Sequence, residues 1–238
     1  MRISIISTAF TLLVLAAGCG SGKDQSNADA GNGDGQPTPS SVPRRERINN
    51  LKQIALGMQM HHDTYRRLPP PGELALGTDG KPLLSWRVWI LPYIEKGNLF
   101  NQFKMDEPWD SDHNKKLLDQ MPEIYKTTND TNKTTLMTFV GNGALFDGGK
   151  GPKFSEVVDG TRNTIMVVEA GADKAVYWTK PEDLPFDPQN PKAALGDVGP
   201  EFLAAFADGR ARAIKSNISD DDLKAIITKK GGEIPPEL

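Results

Sequence analysis

A single apolar stripe decides much of what this chain can become. In "VPRRERINNLKQIALGMQMHHDTYRRLPP", Val42 to Pro70, the residues Ile48, Leu51, Ile54, Ala55, Met58, His62 and Tyr65 recur at three- and four-residue steps. That spacing predicts an amphipathic helix of about six turns with one face to bury. Leu68-Pro69-Pro70-Pro71-Gly72 cannot continue it. The start is less orthodox, because Arg44 and Arg45 lie at the positive end of the helix dipole, where acids are favoured.

Downstream the pattern divides. "LLSWRVWILPYIEKGNLFNQF", Leu83 to Phe103, carries Trp86, Trp89, Ile90, Tyr93 and Ile94 at helical spacing, with Ser85 as a candidate cap and Pro92 as a break. Two short helices or helical turns are expected there, then a loop and a helix over Lys115 to Met121 begun by Asp110, Ser111 and Asp112. From Tyr125 onward short runs of β-formers alternate with turn residues. "TTLMTFVGNG", "NTIMVVEA" and "KAVYWTK" read as strands, and "FLAAFADGRARAIK" as a hairpin turning at Asp208-Gly209. "SDDDLKAIITKKGGE" reads as a final helix with Ser219 as N-cap and Gly231-Gly232 as C-cap. Helices first and antiparallel strands afterwards favour an α+β domain over a doubly wound sheet.

The first residues stand apart from this plan. "MRISIISTAFTLLVLAAGCG" has one early positive charge, an apolar run to about Ala17 and small residues before Cys19. This is the pattern of a secretory signal, with an apolar run too short to span a bilayer. Ala16-Ala17-Gly18-Cys19 resembles a lipobox, although the leucine falls at Leu15, four residues before the cysteine. An ordinary cleaved signal with an incidental cysteine is the other reading. "GSGKDQSNADAGNGDGQPTPSS" then has no large apolar side chain, and is expected to be a disordered leash about 25 Å long on average. The expected organisation is a lipoprotein signal over 1–18, a lipidated Cys19 and linker over 19–42, and one domain over 43–238.

Cys19 is the only cysteine of the 238 residues, so the domain has no disulfide and no thiolate nucleophile. Net charge is −3, from 28 basic and 31 acidic residues spread without large blocks, and does not suggest nucleic acid as a partner.

Six motifs carry a family resemblance: "NNLKQIALGMQMHHDTYRRLPP", "LSWRVWILPYIE", "FNQFKMDEPWDSDHNKKLLDQMPEIY", "DGTRNTIMVVEA", "VYWTKPEDL" and "FADGRARAI" followed by "LKAIITKKGGE". In this order they resemble a family abundant in planctomycete bacteria. Its members usually begin with a prepilin-type cleavage and methylation segment and are similar to type II secretion pseudopilins. The resemblance implies a pilin-like plan, a long N-terminal helix packed across an antiparallel sheet, and no established activity. Here a lipoprotein signal stands where the prepilin segment would be, so a filament subunit is not expected. Many relatives carry a pair of cysteines at the positions of Arg47 and Thr127. The resemblance thus implies that these residues are neighbours, with Cα atoms within roughly 7 Å.

Candidate chemistry is sparse. His61, His62 and His113, with Asp63, Asp110 and Asp112, have the donor types for a divalent metal. Adjacent histidines, however, diverge by about 100° on a helix, and structural hydrogen bonding is the expectation. Asp159, Glu169 and Asp208 would need a shared cleft for acid–base work. As residues of Asp-Gly turns and a strand end, they are expected to serve the backbone or an arginine. Trp86, Trp89, Tyr93, Trp109 and Trp178 read first as core. "WTKPEDL" mixes an aromatic with charges in a loop, which makes Trp178, Lys180, Glu182 and Asp183 the candidate binding surface.

The expectation is a non-enzymatic, lipid-anchored envelope protein, facing the periplasm or cell surface. It would need no cofactor or metal, touch the membrane through Cys19, and act through an envelope protein partner in a secretion or surface assembly. The alternative is an extracytoplasmic solute- or glycan-binding module.

Overall fold

A computed structural model of the chain describes residues 42–71 and 83–236. The expected signal, Cys19 and all of the linker before Val42 lie outside the described residues.

The stripe forms helix α1, Arg44–Tyr65, and buries Leu51, Ile54, Ala55 and Met58, but at its end His61 is buried instead of His62, and Tyr65 is exposed. The helix stops before the prolines. Arg66 turns into the left-handed region at φ 59° and donates its N–H to His62 O. The basic start is explained by the sheet beneath it: Arg44 pairs with Glu201 at 2.5 Å and Arg47 pairs with Glu169. These carboxylates offset the unfavourable charge at the helix N-terminus.

After residue 83 the chain makes short turns of helix, α2 (Trp86–Trp89), a 3-10 turn (Leu91–Ile94) and α3 (Gly97–Phe100). The Ser85 hydroxyl accepts from Arg87 N as expected of a cap, and Pro92 is the second residue of the 3-10 turn, where its missing N–H costs little. This unit packs on α1 through Gly57, where a Cβ would lie 3.1 Å from Ile94 Cγ2. The helix expected over 115–121 is instead 3-10, Asn114–Gln120. Its geometry is set by the buried Asn114 side chain, which accepts from Lys104 N and donates to the carbonyls of Lys104, Glu107 and Pro108.

"TTLMTFVGNG" is not one strand but three, β1 (Lys133–Thr134), β2 (Leu136–Met137) and β3 (Phe139–Val140). Each has a different partner. β1 runs antiparallel to β5 (Val176–Tyr177), β2 antiparallel to β4 (Ile165–Glu169), and β3 parallel to β6 (Leu184–Pro185). Threonine and aspartate side chains break the ladder between them. Thr127 Oγ1 accepts from Thr135 N, and Asp183 accepts from Thr138 N. "KAVYWTK" shrinks to the two residues of β5, beyond which the chain turns with Lys180 N donating to Tyr177 O.

The main sheet has the order β2-β4-β7-β8, all antiparallel, with β7 spanning Glu201–Phe206 and β8 spanning Ala211–Lys215. β7 and β8 form the expected hairpin, with Gly209 at φ 90° in the turn. Met166, Val167, Leu203, Ala205 and Ala207 pack in the α1 core. Ile165, Val168, Phe202, Phe206 and Ile214 pack with Leu223, Ile226 and Ile227 of α4 (Asp220–Ile227). The sheet therefore lies between two helices, and the architecture is α+β as the element order predicts. Ser219 caps α4 by accepting from Asp222 N at 3.0 Å. The far end differs from expectation: α4 ends on extended Thr228, and the N–H groups of Gly231 and Gly232 donate to the Asp159 carboxylate.

Arg47 and Thr127, the two positions implied to be neighbours, flank one strand pair. Arg47 reaches Glu169, which lies opposite Leu136, and Thr127 bonds the preceding Thr135.

Candidate functional site

The "WTKPEDL" loop divides into an inner and an outer half. Trp178 is fully buried, so its assignment to a binding surface is corrected. Its ring stacks on Tyr125 at 6.0 Å and meets Phe103 edge-on at 5.7 Å, while Nε1 donates to Leu118 O. Asp183 is also buried and is likewise removed from that surface. Its Oδ1 accepts from Trp86 Nε1 at 3.1 Å, Thr138 N at 2.9 Å and Arg87 Nη2 at 3.3 Å. Arg87, fully buried, donates Nε to Leu136 O at 2.8 Å and Nη1 to Ser85 Oγ at 2.6 Å. The Tyr125 hydroxyl closes the network on Arg87 O at 2.8 Å. Burial pushes the Asp183 carboxyl up, and Arg87 beside it pulls the other way. One ion pair thus fastens α2, β2, the segment before β6 and the turn at Tyr125. The composition hides it, but Arg87 standing inside the apolar "SWRVWIL" was the available signal.

Lys180 and Glu182 form the outer half and pair with each other at the surface. Lys180 Nζ lies 6.0 Å from the Trp109 ring centre, Trp109 stacks on Tyr177 at 5.6 Å, and Lys133 Nζ lies 5.5 Å from the Tyr177 ring. Lys133 and Tyr177 are opposite each other in the β1–β5 pair. Each ring is therefore already engaged by the other ring and by a lysine. The set clamps the Trp109 loop onto this ribbon, and is poorly suited to stacking a sugar.

The three histidines go to separate backbone partners. His61 Nδ1 donates to Arg67 O, His62 Nε2 accepts from Phe154 N, and His113 Nε2 meets Gln102 O. Among the described residues, no three His, Cys, Asp or Glu side chains gather to hold a metal. The carboxylates are similarly committed: Asp159 to the glycine amides, Glu169 to Arg47, Asp208 to Arg210. Burial lowers the affinity of His61 for a proton, so it is neutral at pH 7.

Beside His61 lies a cavity of about 360 Å³, walled by Tyr65, Leu68, Pro70, Trp89 and Gly151. Trp89 Nε1 has no hydrogen-bond partner. The cavity's described walls are mostly apolar, with Arg67 and Lys150 also among them.

The family described as "Protein of unknown function (DUF1559)" matches residues 44–135 and 121–218, well over half of the chain. The chain belongs to that family. In this DUF1559 protein the matched span runs from the first residue of α1 to Ile218, just before the cap of α4, and takes in the Arg87–Asp183 network. No curated protein and no solved structure matches the chain. Among the described residues no helix is long and apolar enough to cross a membrane.

Proposed function

We propose that this chain is a non-enzymatic protein of the cell envelope, tethered by a lipid on Cys19, whose α+β domain acts through protein contacts in a secretion or surface assembly. The observation that carries the reading is where its polar side chains are spent. Arg87, Asp183, Asn114, His61 and Asp159 each bond to backbone or to one another, and Glu169 pairs with Arg47. The chemistry-bearing residues hold the fold, and what the domain offers outward is surface. Leu56, Met60 and Tyr65 are 54, 42 and 62% exposed along α1.

Fractionation tests the tether: Cys19→Ala moves the protein from the membrane to the soluble fraction, and a variant that stays fully membrane-bound defeats it. Cross-linking in the native envelope tests the contacts, with one or a few discrete adducts expected and none as the adverse result.

The alternative, a solute-binding module, is favoured by the cavity beside His61 and its unpartnered Trp89 Nε1. Its glycan form is weakened by the burial of Trp86 and Trp178. A glycan array with no hits and no thermal shift from small apolar solutes would dismiss it.

A further inference from the structure

The cavity beside His61 has walls that the fold sets in advance. His61 Nδ1 donates to Arg67 O at 2.9 Å, Leu68 N to Pro152 O at 2.9 Å, and Arg67 Nη1 to Gly151 O at 3.1 Å. These bonds brace the end of α1, the segment after it and the loop at 149–152 against one another. Trp89, the last residue of α2, is a further wall. At about 360 Å³ the space sits at the small end of the range for ligand pockets, about 300–1,000 Å³, and suits one ring with a short chain.

Two polar groups of this lining are unspent. Trp89 Nε1 is shielded from solvent and has no hydrogen-bond partner, a state that is costly for a buried donor and that a bound acceptor beside it would relieve. Lys150 is exposed and has no ion-pair partner among the described residues. Arg67 differs, because its guanidinium is held by Gly151 O and lies 3.9 Å from Glu156. The charge open to a ligand is therefore that of Lys150. The described lining itself holds no carboxylate, so an anion is drawn to it and a cation repelled.

We infer that this cavity binds a small organic acid, a carboxylate carried by a single apolar ring. The ring packs against Tyr65, Leu68 and Trp89, whose own rings favour a flat occupant. The carboxylate draws on Lys150 and on the Trp89 indole N–H, which a neutral or cationic solute of the same shape uses less well. The inference rests on the solute-binding reading of the cavity and names the chemistry of its ligand.

The test uses the full chain in phosphatidylcholine nanodiscs, where no detergent competes for an apolar cavity, and three probes of one shape: phenylacetate, 2-phenylethanol and 2-phenylethylamine. Titration calorimetry is expected to show saturable binding of phenylacetate that weakens in high salt, weaker binding of the alcohol and none of the amine. The Trp89 indole N–H resonance, assigned by its loss in Trp89→Phe, is expected to move downfield with phenylacetate. Trp89→Phe keeps the wall and removes the donor, and is expected to lower phenylacetate affinity about tenfold. Lys150→Glu is expected to lower it about fivefold or more, with Tm and the affinity for 2-phenylethanol unchanged. Binding of either analogue as tight as that of phenylacetate overturns the inference and leaves the solute-binding reading standing. Phenylacetate binding that Lys150→Glu leaves untouched also overturns it. Failure of all three probes to bind overturns it together with that reading.

Discussion

Arg87 and Asp183 show how much of this fold hangs on one buried pair. Both are essentially without solvent, and each makes further bonds to backbone or neighbouring side chains. Removing one partner leaves the other charged and unpaired. Asp183→Ala is therefore expected to lower the unfolding free energy by about 3–5 kcal/mol in urea titrations, and replacing Arg87 by Met in the same chain should recover part of the loss. His61 gives a pH signature. Burial holds its folded-state proton affinity below the usual histidine value, so the unfolded chain takes up the proton first. Stability is fully present above the unfolded pKa of about 6.5 and is lost as pH falls towards the lower folded value. Melting temperatures measured from pH 7 down to pH 5 should fall less steeply in His61→Gln than in the parent.

At the level of elements, the long periodic segments were readable and the short ones were not. The helix α1, the strand β4, the β7–β8 hairpin and the cap of α4 follow from patterns contained within each segment. The run 133–140 does not, because its β-forming residues suit one strand while buried Thr135, Thr138 and Asp183 impose three pairings from distant parts of the chain. Trp178 misleads for the same reason. Charged neighbours mark a surface loop, but its depth is set by Tyr125 and Phe103, which are remote in sequence. Two element-level outcomes follow from local geometry. Ser219→Ala should cost about 1 kcal/mol through the lost α4 cap, measured by chemical denaturation. Gly151→Ala should cost about 1–3 kcal/mol, because its Cβ would sit 1.7 Å from Leu68 O, a backbone held in place by the Leu68 N–Pro152 O bond. Faster hydrogen exchange at Leu68 would report the same disruption.

For the whole molecule, segregation of helices from strands was enough to give the class, whereas the helix on each face of the sheet needed the second core around Ile226. The candidate surface was less legible: of its four residues, only Lys180 and Glu182 reach solvent. Arg47 and Thr127 offer a test of long-range register. The double variant Arg47→Cys/Thr127→Cys is expected to lose both thiols on oxidation, measured by thiol titration of unfolded protein. Two persistently free thiols would show that the positions are not in bonding reach.

The ion pairs at the start of α1 also have a mechanical meaning. Tension arriving through the residues before Pro43 enters the fold at Arg44, so Arg44–Glu201 and Arg47–Glu169 are among the first bonds to carry the load. Behind them lies a rigid rod about 33 Å long, glued to the sheet along its length by Leu51, Ile54 and Met58. Under such a load the two pairs are expected to break before the apolar contact that keeps the helix on the sheet.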